Sequence, residues 1–339
     1  MIREAIARVV AGENLTRTEA ATVMEEIMTG QATPAQFGAL VTALRFKGET
    51  VEEITGFAST MRQLAKVVAP TRPVVDTCGT GGDGRGTFNI STTAAFVAAG
   101  AGATVAKHGN RSMTSKCGSA DVLEALGVHI SLTPVQVETC LEEAGIGFMF
   151  AQAFHPAMKF AAGLRPEIGI RTVFNILGPL TNPAGASAQV LGVASADLVP
   201  RMAEALALLG SHHALVVYGE DGIDEISISA PTLISEVRDG EVQNYRVVPE
   251  DFGFGRATID EILGGDAVTN AGLTRAVLTG ANGPRRAVVL LNAAAALLAA
   301  DLADDLADGI RLAEQSIDSG AANERLAKLV AVTQRFAAG

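Results

Sequence analysis

Between Val74 and Asp121 the sequence runs twice through one order: a short apolar strand, a loop dense in glycine and hydroxyl groups, and the start of a helix. The first loop, Asp76 to Gly84, reads Asp-Thr-Cys-Gly-Thr-Gly-Gly-Asp-Gly, and Arg85 to Thr93 leads on to a small-residue helix from Ala94 to about Gly102. A second strand, Ala103 to Lys107, opens on the second loop, His108 to Ser119. Strands and helices alternating at this spacing build parallel βαβ units, whose loops gather at the carboxyl edge of a sheet. From Gly84 to Ala120 there is no Asp or Glu, while Arg85, Lys107, Arg111 and Lys116 fall in that span. Glycine lets main-chain N–H groups converge, and helix N-termini add partial positive charge. Two such loops describe a polyanion site.

Other phosphate motifs fit poorly. Gly79-x-Gly81-x-x-Gly84 has dinucleotide-fingerprint spacing, but that motif needs an acid about twenty residues on for the ribose hydroxyls. The second strand ends instead in Lys107-His108. A P-loop needs Gly-Lys-Ser/Thr, which is missing. An ordinary glycine-rich turn leaves the repeated chemistry of the second loop unexplained.

The remaining chain brackets this stretch with two kinds of pattern. Thr16-x-x-Glu19, Thr33-Pro34-x-Gln36 and Thr50-x-x-Glu53 are capping-box signatures, with Gly30 and Gly48 at helix ends, so residues 1–70 read as a small helical domain. Ala69 to Pro73 reads as a linker into residues 71–339, an α/β domain with a mostly parallel central sheet flanked by helices. There Thr133-Pro134-x-Gln136 and Asp197 read as helix starts, Ala214 to Tyr218 as a buried strand, and Asp239-Gly240 as a hairpin turn. With 339 residues and 48% hydrophobic content, two cores are within reach. Aromatics make up 4% with no Trp, and the net charge is −11. Both argue against nucleic acid, and the charge also argues against an anionic membrane surface. The longest apolar run, Ala287 to Ala300, contains Asn292 and is too short to span a bilayer. Glu4, Arg8 and Glu13 interrupt any signal-peptide pattern, and three cysteines without metal spacing suit a reducing compartment. The expectation is a soluble cytoplasmic protein.

Gly79-Thr-Gly-Gly-Asp83, Phe88-Asn-Ile-Ser-Thr92 and Lys107-His-Gly-Asn-Arg111 together resemble the signature segments of the anthranilate phosphoribosyltransferase family, which acts in tryptophan biosynthesis. Gly118-Ser-Ala-Asp121, Arg165-Pro-Glu-Ile-Gly169, Gly178-Pro-Leu-Thr-Asn-Pro183 and Asp224-Glu-Ile-Ser227 continue the resemblance in the same order over nearly the whole chain. It implies a pentosyltransferase joining phosphoribosyl pyrophosphate to anthranilate, a homodimer with one site per subunit, and a helical domain completed by residues 165–185.

The residues can be set against that chemistry. Backbone N–H groups of Gly79 to Gly82, with Ser91 and Thr92 at a helix start, suit phosphate oxygens, while Thr87 and Asn89 suit ribose or pyrophosphate. Lys107 and Ser119 add contacts, and the donor-binding set extends to Asp83, Ile90, His108, Gly109, Asn110, Arg111, Ser112, Met113, Thr114 and Ser115. Asp224-Glu225 follows a strand; adjacent acids there are either a solvated turn or hard ligands for Mg²⁺. The resemblance implies the latter, with Ser91 as a further ligand and two ions per subunit. Arg165 is either a surface residue paired with Glu167 or a planar fork for a carboxylate. The resemblance assigns it to anthranilate, beside Gly79 and Asn110; His108 and His155 are either contacts for the aromatic acceptor or structural histidines. No residue is assigned as a base; Lys107, Ser91 and Mg²⁺ stabilise the leaving group. The alternatives are a pyrimidine nucleoside phosphorylase-like enzyme and a non-catalytic nucleic-acid-binding relative.

Overall fold

The structure, a computed structural model, describes residues 1–112 and 116–337. Helices α1 (Ile2–Val10), α2 (Arg17–Met28), α3 (Pro34–Lys47) and α4 (Val51–Gln63) come first. Thr16 with Glu19, Thr33 with Gln36 and Thr50 with Glu53 each close a capping box, so local pairs three residues apart set where these helices begin. Met24, Ile27, Phe37, Leu40, Leu44, Ile54 and Phe57 meet in one cluster. Glu53 is buried among them. Its carboxylate accepts from the N–H groups of Leu15 (3.0 Å) and Thr50 (2.8 Å) and from the Lys47 ammonium (2.9 Å), the condition on which a charge leaves water cheaply.

Next come β1 (Val75–Gly79), α5 (Ile90–Gly100), β2 (Val105–Gly109), α6 (Ser119–Ala125), α7 (Pro134–Ala144) and β3 (Ile146–Phe150). Four short helices follow: α8 (Ala151–Phe154), α9 (Lys159–Ala162), α10 (Leu164–Ile168) and α11 (Phe174–Leu177). The chain then forms β4 (Ala188–Gly192), α12 (Leu198–Leu208), β5 (His213–Gly219), β6 (Thr232–Arg238), β7 (Glu241–Val247), α13 (Ala267–Leu278), α14 (Pro284–Ala299), α15 (Leu306–Asp318) and α16 (Ala321–Ala337). The sheet order is β3-β2-β1-β4-β5-β6-β7, with the first five strands parallel. The edge hairpin β6–β7 is antiparallel and turns at Asp239-Gly240, both at positive φ. After β3 the chain returns to place β4 on the other side of β1, and a crevice opens where the winding reverses. One face of the sheet is covered by α5 and α14 to α16. On the other, α12, Val173, Phe174, Leu177 and the helical bundle pack in one cluster with Leu191 and Val216 of the sheet.

Some boundaries differ from the sequence reading. Helix α5 begins at Ile90 rather than Ala94, because Thr93 Oγ1 donates back to the Asn89 carbonyl (2.9 Å) and a hydroxyl run can sit inside a first turn. Strand β2 continues to Gly109, so His108 belongs to the sheet. Asp197 does not cap α12 with its side chain; it is already helical in backbone and pairs with Arg201 one turn on. Among the described residues no helix is long and apolar enough to cross a membrane.

Candidate active site

Strand β1 feeds the first glycine loop, and the Thr80 N–H donates to the Gly192 carbonyl (2.9 Å), carrying the β1–β4 pairing one step past the strands. Across these two ends lies the acidic turn that follows β5. A Cβ on Gly79 would collide with Asp224 Oδ2, and one on Gly192 with the Asp224 carbonyl oxygen. Only glycine permits that approach. Asp224 Oδ2 accepts from the Gly81 N–H (2.8 Å), and Glu225 Oε1 from the Ser91 N–H in the first turn of α5 (3.1 Å). The acids thus face both the glycine loop and a helix N-terminus.

Their environment leaves charge uncompensated. Burial, then the nearby Asp83, raises Asp224 to about 6; burial, then Asp224 itself, raises Glu225 to about 8. Arg171 approaches this cluster, donating through Nη2 to the Gly81 carbonyl (2.8 Å). The buried Lys107 ammonium bonds the Thr77 carbonyl and lies 3.5 Å from Ser91 Oγ. Burial lowers the Lys107 pKa against the opposing charge of Asp76. Asp76 is itself raised to about 6 by burial, despite Lys107 and a hydrogen bond from Asn182 Nδ2 (2.7 Å).

A cleft of about 340 Å³ opens over these groups. Gly79, Gly82, Asp83, Thr87, Asn89, Ile90, Ser91 and Thr92 line it from the first loop and α5. Lys107, His108, Gly109, Asn110, Arg111, Ser112 and Ser119 line it from β2 and the second loop, and Arg165, Asp224 and Glu225 complete the set. Met113, Thr114 and Ser115 lie outside the described residues.

Proximity does not give every side chain a free hand. The Asn89 amide, expected to contact ribose or pyrophosphate, is spent internally: Nδ2 donates to the Cys117 carbonyl (3.3 Å) and Oδ1 accepts from Asn270 Nδ2 (2.8 Å). Arg111 turns to Asp121 (2.9 Å) and Glu124 (2.5 Å) on α6. His155 does not reach the cleft. Its ring lies behind that of His108, tilted at 52° with centroids 5.0 Å apart, beside Met28, Met61 and Leu64, because the Lys66 N–H holds the Phe154 carbonyl (2.9 Å) against the end of α4. Burial lowers His108 to about 3 and His155 to about 4, so both are neutral. Arg165 is half-buried with its guanidinium 5.9 Å from the centre of the Phe174 ring, and it makes no ion pair with Glu167.

Sequence reasoning missed Arg171, Asn175 and Pro179 in the lining and the buried Asp76–Asn182 pair beneath it. Arg171 and Asn182 lie in or beside segments already singled out, but nothing in their charge or spacing separates them from neighbours.

Two family models match the chain: the glycosyl transferase family helical bundle domain over residues 3–65 and the glycosyl transferase family a/b domain over residues 71–323. The anthranilate phosphoribosyltransferase of Chloroflexus aurantiacus is 62% identical, covering 98% of this chain and 99% of its own length. Among solved structures, the anthranilate phosphoribosyltransferase of Thermus thermophilus superimposes with a TM-score of 0.92 at 44% identity, covering 97% of this chain and 99% of that one. The Saccharomyces cerevisiae enzyme in complex with PRPP and Mg superimposes with a TM-score of 0.90 at 27% identity, covering 98% of both chains.

Proposed function

The chain belongs to the anthranilate phosphoribosyltransferase family, and from that premise we propose how its own residues divide the work. The reaction moves the phosphoribosyl group of phosphoribosyl pyrophosphate onto the amine of anthranilate, releasing pyrophosphate, as a step of tryptophan biosynthesis. The observation that carries the assignment of roles is the Asp224–Glu225 pair held against the glycine loop and the N-terminus of α5 over one cleft.

In this reading the donor's phosphates lie on the glycine loop and the first turn of α5, where N–H groups and the helix terminus favour anions. The pair fits a divalent cation: two under-partnered carboxylates and the Ser91 hydroxyl are hard oxygen donors. Asp224, Glu225 and Ser91 would hold Mg²⁺, two ions per subunit, and the metal supplies neutralisation of pyrophosphate charge. Lys107, beneath the floor, offsets charge on that side and orients Ser91. Arg165 receives the anthranilate carboxylate, with Asn110 and the neutral His108 against the ring, while His155 supports His108 from behind. The aryl amine is neutral at physiological pH and attacks ribose C1 as the bond from C1 to the pyrophosphate oxygen breaks; the proton the amine then sheds passes to the departing pyrophosphate or to water. The enzyme's task is therefore orientation and charge stabilisation, without a base.

Residues 1–70 with 165–185 act as one unit over this cleft and the rest of 71–339 as the other. The subunits pair through the helical bundle, where Phe46 is 95% exposed while Met24, Ile27, Met28, Phe37 and Leu40 are buried. The three free cysteines fit a cytoplasmic setting. Phe46→Glu should yield monomers in sedimentation that still bind donor substrate; a wild type monomeric at micromolar concentration would remove the dimer.

The function is tested by pyrophosphate release with and without anthranilate in Mg²⁺. Release that requires anthranilate is expected. Indifference to anthranilate, with phosphorolysis of a pyrimidine nucleoside instead, would overturn it.

A further inference from the structure

Helix α13 reaches the phosphate site through one buried amide. Asn270 is 2% exposed, and its Oδ1 accepts from the Gly265 N–H (2.7 Å). A main-chain N–H can only donate, so this bond fixes which end of the Asn270 amide is oxygen. Its Nδ2 is then committed to Asn89 Oδ1 (2.8 Å), and Asn89 must turn its own Nδ2 to the Cys117 carbonyl (3.3 Å). Asn89 is the residue at which the first loop becomes α5, and Cys117 belongs to the second loop. The polarity of a single peptide N–H is thereby passed through two amides to both loops.

The surrounding backbone holds the start of this relay still. Gly264 donates to the Gly86 carbonyl (2.9 Å), and Phe88 donates to the Ile262 carbonyl (3.1 Å), zipping residues 262–264 onto the first loop. A Cβ at Gly264 would sit 2.7 Å from both Asn270 Oδ1 and Phe88 Cα, so only glycine closes the turn this tightly. One helical turn along α13, Thr274 Oγ1 meets Thr93 Oγ1 at 3.0 Å, a second grip on α5 that does not involve the amides.

We propose that Asn270 is a positioning residue: it sets the orientation of the Asn89 amide and, through it, the register between the two loops that receive phosphoribosyl pyrophosphate. It touches neither substrate. The proposal rests on the reading of the cleft given above.

Asn270→Asp tests it with nearly unchanged volume. The ionised carboxylate it introduces still accepts from Gly265 but cannot donate to Asn89, so the Asn89 amide either keeps its oxygen against a carboxylate, with only the Cys117 Sγ–H donating to it (3.4 Å), or flips and sets its oxygen against the Cys117 carbonyl. At pH 8 the dissociation constant for the donor with Mg²⁺, read by calorimetry, should rise about tenfold or more, with the KM for anthranilate within about twofold of wild type. Lowering the pH protonates the introduced carboxylate, whose O–H can donate to Asn89 Oδ1, so the ratio of mutant to wild-type affinity should recover in the same buffers. Thr274→Val serves as the packing control and should lower thermal stability with donor affinity retained. A pH-independent defect in Asn270→Asp, or an equal loss of donor affinity in Thr274→Val, would overturn the relay in favour of simple packing. Wild-type donor affinity in Asn270→Asp would overturn it too. If Asp224→Asn also left donor affinity unchanged, the reading of the cleft itself would fall.

Discussion

Glu53 in the helical bundle and the Asp224–Glu225 pair at the sheet edge are acids withdrawn from water, and the protein treats them in opposite ways. Glu53 receives two main-chain N–H groups and a lysine ammonium, which join the start of α2, the end of α3 and the start of α4. The acids of the pair receive one N–H apiece, from the glycine loop and from the first turn of α5, and repel each other. A fully partnered buried charge specifies architecture, whereas an under-partnered one holds affinity in reserve for a cation.

Removing the pair should produce the largest effect. Asp224→Asn with Glu225→Gln is expected to cut pyrophosphate release by roughly a thousandfold or more, with thermal stability kept or raised because uncompensated charge has gone. Near wild-type turnover at saturating Mg²⁺ would end the metal assignment. Glu53→Ala is the converse. It removes the counter-charge of Lys47, which keeps only the Asn14 and Gly48 oxygens, and leaves two main-chain N–H groups without their acceptor. It should cost about 3–5 kcal/mol of unfolding free energy, read from denaturant midpoints, with substrate affinities of the folded protein retained. A loss of affinity without loss of stability would erase the contrast between the two regions.

Arg165→Ala sharpens the comparison inside the cleft. Losing one charge-assisted contact should cost about 1.5–3 kcal/mol, a roughly ten- to hundredfold rise in KM for anthranilate, with that for the donor far less affected. Equal changes for both substrates would make Arg165 a packing residue against Phe174.

The smallest effect belongs to His213, a cation held between acids. Its ring is fully buried, with Nδ1 2.9 Å from Asp301 Oδ1 and Nε2 2.8 Å from Glu236 Oε1. Burial alone would lower its pKa, but the hydrogen bonds its ring donates to both carboxylates outweigh burial and raise it. The raised folded value means that its stabilisation is complete below the unfolded value of about 6.5 and fades as pH climbs through the folded one. Stability measured across that range should decline more steeply for wild type than for His213→Gln; identical slopes would show that the imidazole is neutral throughout.

Much of this architecture is legible in the order of residues alone. The three capping boxes are contacts between residues three apart, so residue identity sets the helix starts. The glycine loops, the acid-free stretch and the Asp224–Glu225 turn mark a phosphate site through composition at fixed spacing. The side-chain partners of Asn89, which lines the cleft, and the place of His155 behind His108 are not legible in the sequence, because they come from distant parts of the chain; Asn89 and Asn270 are separated by 181 positions. Arg171 escapes notice for the same reason, since its approach to Gly81 spans 90 positions.

What the sequence by itself determined is everything that short-range sterics and hydrogen bonding can enforce: where helices start, where the backbone can bend around an anion, and which strands are apolar enough to be buried. Which of the gathered polar groups face the cleft and which are consumed holding it open was decided only by tertiary structure. A donor or acceptor buried beside a competing partner satisfies that partner first, and the competitors meet only once the sheet has closed.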